Sequence, residues 1–124
     1  MTSPTLIPFR GRSPATAADL FGALWRALSD LLGSATTATL LRRSRNAVAR
    51  RRPCAAELQI DREGLEYCYT VPASWSAPDG EGLDSLRELV NELRPLLMEL
   101  TGAIILNQLD TNPTFAQSGI VFAQ

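Results

Sequence analysis

Six arginines lie within the stretch LLRRSRNAVARRRP, which runs from Leu40 to Pro53: Arg42, Arg43, Arg45, Arg50, Arg51 and Arg52. Guanidinium groups bind phosphates and carboxylates, so this spacing is typical of a surface that contacts a nucleic acid or an acidic protein. It also fits a solvated helix end, because cations stabilise the C-terminus of a helix. The stretch therefore has three interpretations, and the rest of the sequence has to distinguish them.

The charge of the whole chain favours a protein partner over a nucleic acid. Residues 1–56 hold nine arginines against two acids, a charge of +7, whereas residues 57–124 hold three arginines against eleven acids, a charge of −8. The isoelectric point is 5.4, no aromatic residue interleaves the arginines, and no helix-turn-helix or zinc pattern surrounds them. The two halves are complementary, so Glu88, Glu92 and Glu99 could face the arginines within one chain or between copies.

The residue types also argue against catalysis. The sequence has no histidine and no lysine, which removes the commonest general base, imidazole metal ligands and the lysine of a phosphate-binding loop. The acids Asp79, Glu81 and Asp84 alternate with glycine but lack the ligand spacing of a calcium-binding EF-hand loop. We therefore expect a protein that is not an enzyme and that uses no cofactor or metal.

Two further features bear on the cellular compartment. Cys54 and Cys68 are too few for a disulfide scaffold and are not in CxxC spacing. No apolar run of about 18 residues exists, and the N-terminus lacks the apolar core of a secretory signal. These observations predict a cytoplasmic protein with no membrane contact. The use of arginine alone, with abundant alanine and leucine, indicates a GC-rich bacterial genome.

The elements that position the arginines begin with a helical hairpin. Residues 1–13 lack a period and predict an extended arm, and a helix with Ser13 as N-cap is expected from Pro14. Gly33 is suited to its C-terminal end. A second helix, capped by Ser34 and running from about 35 to 51, then carries the arginines around a thin apolar face.

A β-hairpin is predicted from Cys54 to Val71. A four-residue loop over 61–64 pairs Ile60 with Leu65 and places apolar residues together on one face, with Cys68 on the other. A three-residue loop would mix polar and apolar residues on both faces. We therefore expect the four-residue loop.

After a loop that contains Trp75, a second helical pair is expected. Ser85 and Glu88 have capping-box spacing, and the apolar stripe continues through Pro95 to Leu100, which predicts a kinked helix. Residues 103–109 are a short helix or a third strand, with the spacing of Ile105 and Leu109 favouring helix. Residues 112–124 are predicted to be a tail.

The sequence thus predicts an α+β fold: a helical hairpin, a β-hairpin, then a kinked helix and a short helix or third strand, in one small domain over 14–111. We expect a non-enzymatic adaptor or regulatory module of a bacterial assembly. Its partner is another protein or a copy of itself, bound by the six arginines and by Trp75, because tryptophan is a frequent interface anchor. A nucleic-acid accessory protein that binds phosphates through the same helix is the alternative.

Overall fold

The computed structural model describes residues 16–76, 80–118, 120 and 122. Within them the fold is α+β, as predicted, with five helices and one two-stranded antiparallel sheet. In chain order the elements are α1 (Ala17–Leu32), α2 (Ser34–Ala49), β1 (Gln59–Glu63), β2 (Glu66–Thr70), α3 (Gly80–Thr101), α4 (Ala103–Asp110) and α5 (Pro113–Ser118). Short 3₁₀ helices cover Pro53–Glu57 and Ala73–Ser76. None of these helices is long and apolar enough to cross a membrane.

The helical hairpin forms as predicted, but its caps differ. α1 begins at Ala17 rather than at Pro14, because Thr16 and Asp19 form a reciprocal capping box. The Thr16 hydroxyl accepts a hydrogen bond from the Asp19 N–H at 3.2 Å, and the Thr16 N–H donates to the Asp19 carboxylate at 3.1 Å. Ser34 lies inside α2 and does not cap it. The predicted arm and Ser13 lie outside the described residues.

The β-hairpin has the predicted faces except at Leu65, which is 89% exposed, and a different register. Ile60 pairs with Tyr69 instead of Leu65, a shift of four residues, and Gly64 and Leu65 form a two-residue turn. Gly64 has a φ of 63°, which two-residue hairpin turns require at their first central position. The predicted beginning of the first strand is instead the 3₁₀ helix Pro53–Glu57.

Helix α3 is longer than predicted and unbroken. It begins at Gly80, so Ser85 lies within the helix, fully buried, and cannot be the N-cap. The helix continues through Pro95, as the phase of its apolar stripe predicted. The last member of that stripe, Leu100, is 54% exposed.

The C-terminal part of the chain adds to the core. Residues 103–110 are helix α4, which settles the choice between helix and strand. Phe115, Ile120 and Phe122 are buried in the same core as α1 to α3, and the rings of Phe115 and Phe122 meet edge to face at 5.0 Å. The Phe122 N–H donates to Asp110 Oδ1 at 2.7 Å. The described residues of the predicted tail therefore pack as part of the domain.

Candidate interaction surface on helix α2

Helix α2 packs against α1, α3 and the β-hairpin, so less of it is exposed than the sequence indicated. Its buried face includes polar as well as apolar positions: Thr37, Ala38, Leu40, Leu41, Ser44 and Val48. The buried Ser44 hydroxyl donates to the Leu40 carbonyl at 3.0 Å, so it carries no unpaired donor. Contacts on several sides leave only part of the helix for a partner.

Arg42 and Arg45 hold α2 against strand β1 and Leu58, the residue before it. Arg42 Nε donates to the Ile60 carbonyl at 2.9 Å, and Arg45 Nη1 donates to the Leu58 carbonyl at 2.8 Å. Both strands of a two-stranded sheet are edge strands, so their outward carbonyls need donors from elsewhere in the protein. Both arginines are half-buried. The expectation that they are free, exposed cations is therefore wrong.

Arg51 and Arg52 face the acidic residues of α3. Arg51 lies 3.0 Å from Glu88 and 3.2 Å from Glu92, measured from guanidinium nitrogen to carboxylate oxygen, and Arg52 also pairs with Glu88. The hydrogen bonds that Arg52 and Arg51 donate to Glu88 lower the pKa of Glu88, and the bond that Arg51 donates to Glu88 raises the pKa of Arg51. The complementarity of the two halves is thus realised within one chain for Glu88 and Glu92, whereas Glu99 takes no part in these pairs.

The remaining arginines of the stretch, Arg43 and Arg50, stay exposed. Neither makes a hydrogen bond or an ion pair with any residue that the structure describes. They are seven positions apart, so they lie on one side of the helix at a spacing of roughly 10 Å. Asn46 is exposed between them, and its Oδ1 accepts bonds from Arg45 Nε and Nη2 at 3.1 and 2.9 Å. We call Arg43, Asn46 and Arg50 the basic stripe.

Trp75 does not belong to this surface. It is only 1% exposed, and its ring packs edge to face on Phe21 with centroids 5.9 Å apart. Its Nε1 is buried without a hydrogen-bond partner among the described residues. The prediction that Trp75 anchors a partner is therefore corrected, since the 3₁₀ helix Ala73–Ser76 turns it into the core.

The structure also exposes apolar residues, among them Leu100, which the predicted apolar stripe placed inside. Met98, Leu100 and Ile104 are 47%, 54% and 67% exposed, near the end of α3 and the start of α4. The apolar stripe of α3 extends to Leu100 in the sequence. In the structure, Leu100 lies beside the first turn of α2, the helix that packs against α3, so α2 does not extend past it. Only the pairing of the helices reveals this, because periodicity does not report where a neighbouring helix ends.

No group of three or more cysteine, aspartate or glutamate side chains that could hold a metal occurs among the described residues. Asp79 of the predicted acidic loop lies outside them, and Asp84 is on α3, 3.5 Å from Arg87. Cys68 is an exposed free thiol on the outer face of the hairpin, as predicted. Desolvation, with the carboxylates of Glu63 and Asp61, raises its pKa, which disfavours the reactive thiolate.

The exposed arginines Arg43 and Arg50 can therefore bind anionic groups through their guanidinium groups on one side of α2. Such groups bind carboxylates strongly when the geometry allows two parallel hydrogen bonds. Comparisons with protein-family models, curated proteins and solved structures find no match to this chain.

Proposed function

We propose that this protein is a non-catalytic interaction module, an adaptor or regulatory part of a bacterial assembly, that binds an acidic protein surface through the basic stripe. The observation that carries the proposal is the division of the six arginines of residues 40–53. Arg42 and Arg45 bind the hairpin, and Arg51 and Arg52 bind α3. Arg43 on α2 and Arg50 just after the last residue of α2 remain available, and a carboxylate-bearing surface can bind them without breaking any contact within the fold.

Two observations support the non-catalytic and cytoplasmic parts of the proposal. The sequence offers no histidine or lysine for acid–base or covalent chemistry. Cys68 is an exposed thiol in the fold, which suits a reducing compartment such as the cytoplasm.

A nucleic acid fits the basic stripe less well. Affinity for a phosphate backbone grows with the number of neutralised phosphates, and two free guanidinium groups supply few such contacts. The Asn46 carbonyl oxygen, which could have read a base edge, is already bound by Arg45. The net charge of −1 adds no general attraction to a polyanion.

The test compares two charge-matched double variants in the native host. Arg43→Glu with Arg50→Glu reverses the basic stripe, and Arg26→Glu with Arg87→Glu makes the same change at exposed positions of α1 and α3. We expect an acidic protein to be captured quantitatively by the wild-type chain and the control, and to be lost with the stripe variant. Binding of the acidic protein to the wild-type chain should also weaken as the salt concentration rises.

Two results would contradict the proposal. One is that every captured protein binds the stripe variant as well as the control. The other is salt-sensitive retention of DNA or RNA by the wild-type chain that the stripe variant loses, which would favour the nucleic-acid alternative.

A further inference from the structure

The line of contact between α2 and α3 differs in chemistry at its two ends. Arg51 pairs with Glu88 at one end, whereas Leu40 lies beside Leu100 at the other, so the two helices run antiparallel. The first end is closed by ion pairs. The second end is open, and we call it the seam groove.

The seam groove has an apolar floor and a polar border. One part of about 240 Å³ is lined by Leu40, Arg43, Leu96, Glu99 and Leu100. It continues into a part of about 330 Å³ lined by Ala35, Thr36, Thr39, Leu40 and Leu100. Leu40 is only 7% exposed, whereas Leu100 is 54% exposed, so the groove combines a buried floor with a protruding apolar side chain.

The border of the groove carries one cation and one anion on opposite helices. Arg43 comes from α2 and Glu99 comes from α3, and both are exposed. In the part of the chain that the structure describes, neither makes an ion pair. A purely acidic partner would be repelled by Glu99 and a purely basic one by Arg43, so the groove fits a surface that carries both charges.

We propose that two copies of this chain associate through the seam groove about a two-fold axis. Leu100 of each copy enters the groove of the other, and Arg43 of each copy pairs with the partner's Glu99. A two-fold interface brings the same patch together twice, so it needs a patch that is complementary to itself. An apolar centre between one positive and one negative group meets that condition, and the net charge of −1 leaves little repulsion between copies. The inference goes beyond the proposed function, which concerns an acidic partner and requires Arg50 as well as Arg43.

The first measurement is the molar mass of the full chain in solution against its concentration. We expect the mass to rise from 13.5 kDa towards twice that value and no further. Leu100→Asp should weaken the association by about tenfold or more, because the substitution enters the interface twice. The control is Leu65→Asp, at a residue 89% exposed at the tip of the β-hairpin, and it should leave the association unchanged.

The second measurement exchanges the charges. Arg43→Glu alone and Glu99→Arg alone should each remain monomeric, because each copy then brings like charges together. An equimolar mixture of the two variants should form a one-to-one dimer, since both contacts across the axis become attractive again. An interaction confined to one chain could not be restored by mixing.

Three results would overturn the inference: a mass of one chain at every concentration, equal effects of Leu100→Asp and Leu65→Asp, or no restoration in the mixture. Arg50→Glu separates this inference from the proposed function. It should leave dimerisation unchanged while weakening the binding of an acidic partner, so either can fail without the other.

Discussion

Arg42 and Arg43 are adjacent in sequence and have different surroundings. Arg42 binds the Ile60 carbonyl, whereas Arg43 is exposed beside the seam groove. The residue types predict a basic helix and indicate Glu88 and Glu92 as partners of its arginines within the chain. The bonds to backbone carbonyls could not be predicted, because every residue has a carbonyl and the sequence does not mark which ones lack a donor.

The ion pairs of Glu88 predict how stability depends on pH. Arg52 and Arg51 lower the pKa of Glu88 below its ordinary value of 4.5, so the unfolded state takes up a proton at a higher pH than the folded state. The stabilisation is complete above pH 4.5 and is lost as the pH falls through the lower pKa of the folded protein. Glu88→Gln should therefore remove this part of the acid dependence, as measured by denaturant unfolding between pH 7 and pH 3.

The matched control is Glu99→Gln, which removes an exposed carboxylate that pairs with no described residue of its own chain. It should keep the wild-type dependence on pH at concentrations where the chain is monomeric. If Glu88→Gln also kept it, the pairs with Arg51 and Arg52 would not contribute to stability in solution.

The β-hairpin shows which features of an element the sequence can specify. Alternation of apolar and polar residues correctly predicted that Tyr67 and Tyr69 face the core and that Cys68 faces outward. The register was wrong by four residues. An even shift leaves the strand side chains on their faces, but Leu65, predicted on the apolar face, lies in the turn and is 89% exposed. Arg62 and Glu63 are polar residues typical of a loop, but Gly64 allows a tighter turn, so they extend the strand instead.

Helix α3 provides a prediction about close packing. A Cβ atom at Gly82 would lie 3.0 Å from the Trp75 Cα and 3.3 Å from both the Ala17 Cβ and the Ser74 carbonyl oxygen. These atoms are mostly fixed by the backbone, so we expect overpacking of about 1–3 kcal/mol to exceed the roughly 1 kcal/mol that alanine gains in a helix. Gly82→Ala should lower the free energy of unfolding, measured by chemical denaturation.

Gly22→Ala is the control for that variant. Its Cβ would also have a contact of 3.0 Å, but with the Tyr69 hydroxyl, the outer end of a side chain that can move. The gain in helix propensity should offset the smaller strain, leaving stability nearly unchanged. Equal losses for the two variants would contradict the distinction between fixed and movable neighbours.

At the scale of the whole molecule, composition and periodicity predicted an α+β domain with a core built on α1 and α3. They did not predict that Phe115, Ile120 and Phe122 would join that core. These residues show no helical or strand period, and their burial depends on contacts with distant parts of the chain. The open end of the α2–α3 contact was hidden for the same reason, since it depends on how two helices distant in sequence are aligned.

The central conclusion is that the six arginines of residues 40–53 divide into four that bind other parts of the fold and two, Arg43 and Arg50, that stay exposed. Two double variants test it directly, because methionine keeps an apolar stem and removes the charge. Arg42→Met with Arg45→Met should lower the free energy of unfolding by about 2–3 kcal/mol, since two hydrogen bonds from charged donors to carbonyls are lost.

Arg43→Met with Arg50→Met changes exposed positions and should stay within about 1 kcal/mol of the wild-type chain. The measurement is denaturant unfolding of all three proteins in one buffer at neutral pH, at a concentration where the chain is monomeric. A clear loss for the first variant and almost none for the second is the expected result. Equal losses, or a larger loss for the Arg43 and Arg50 variant, would contradict the division.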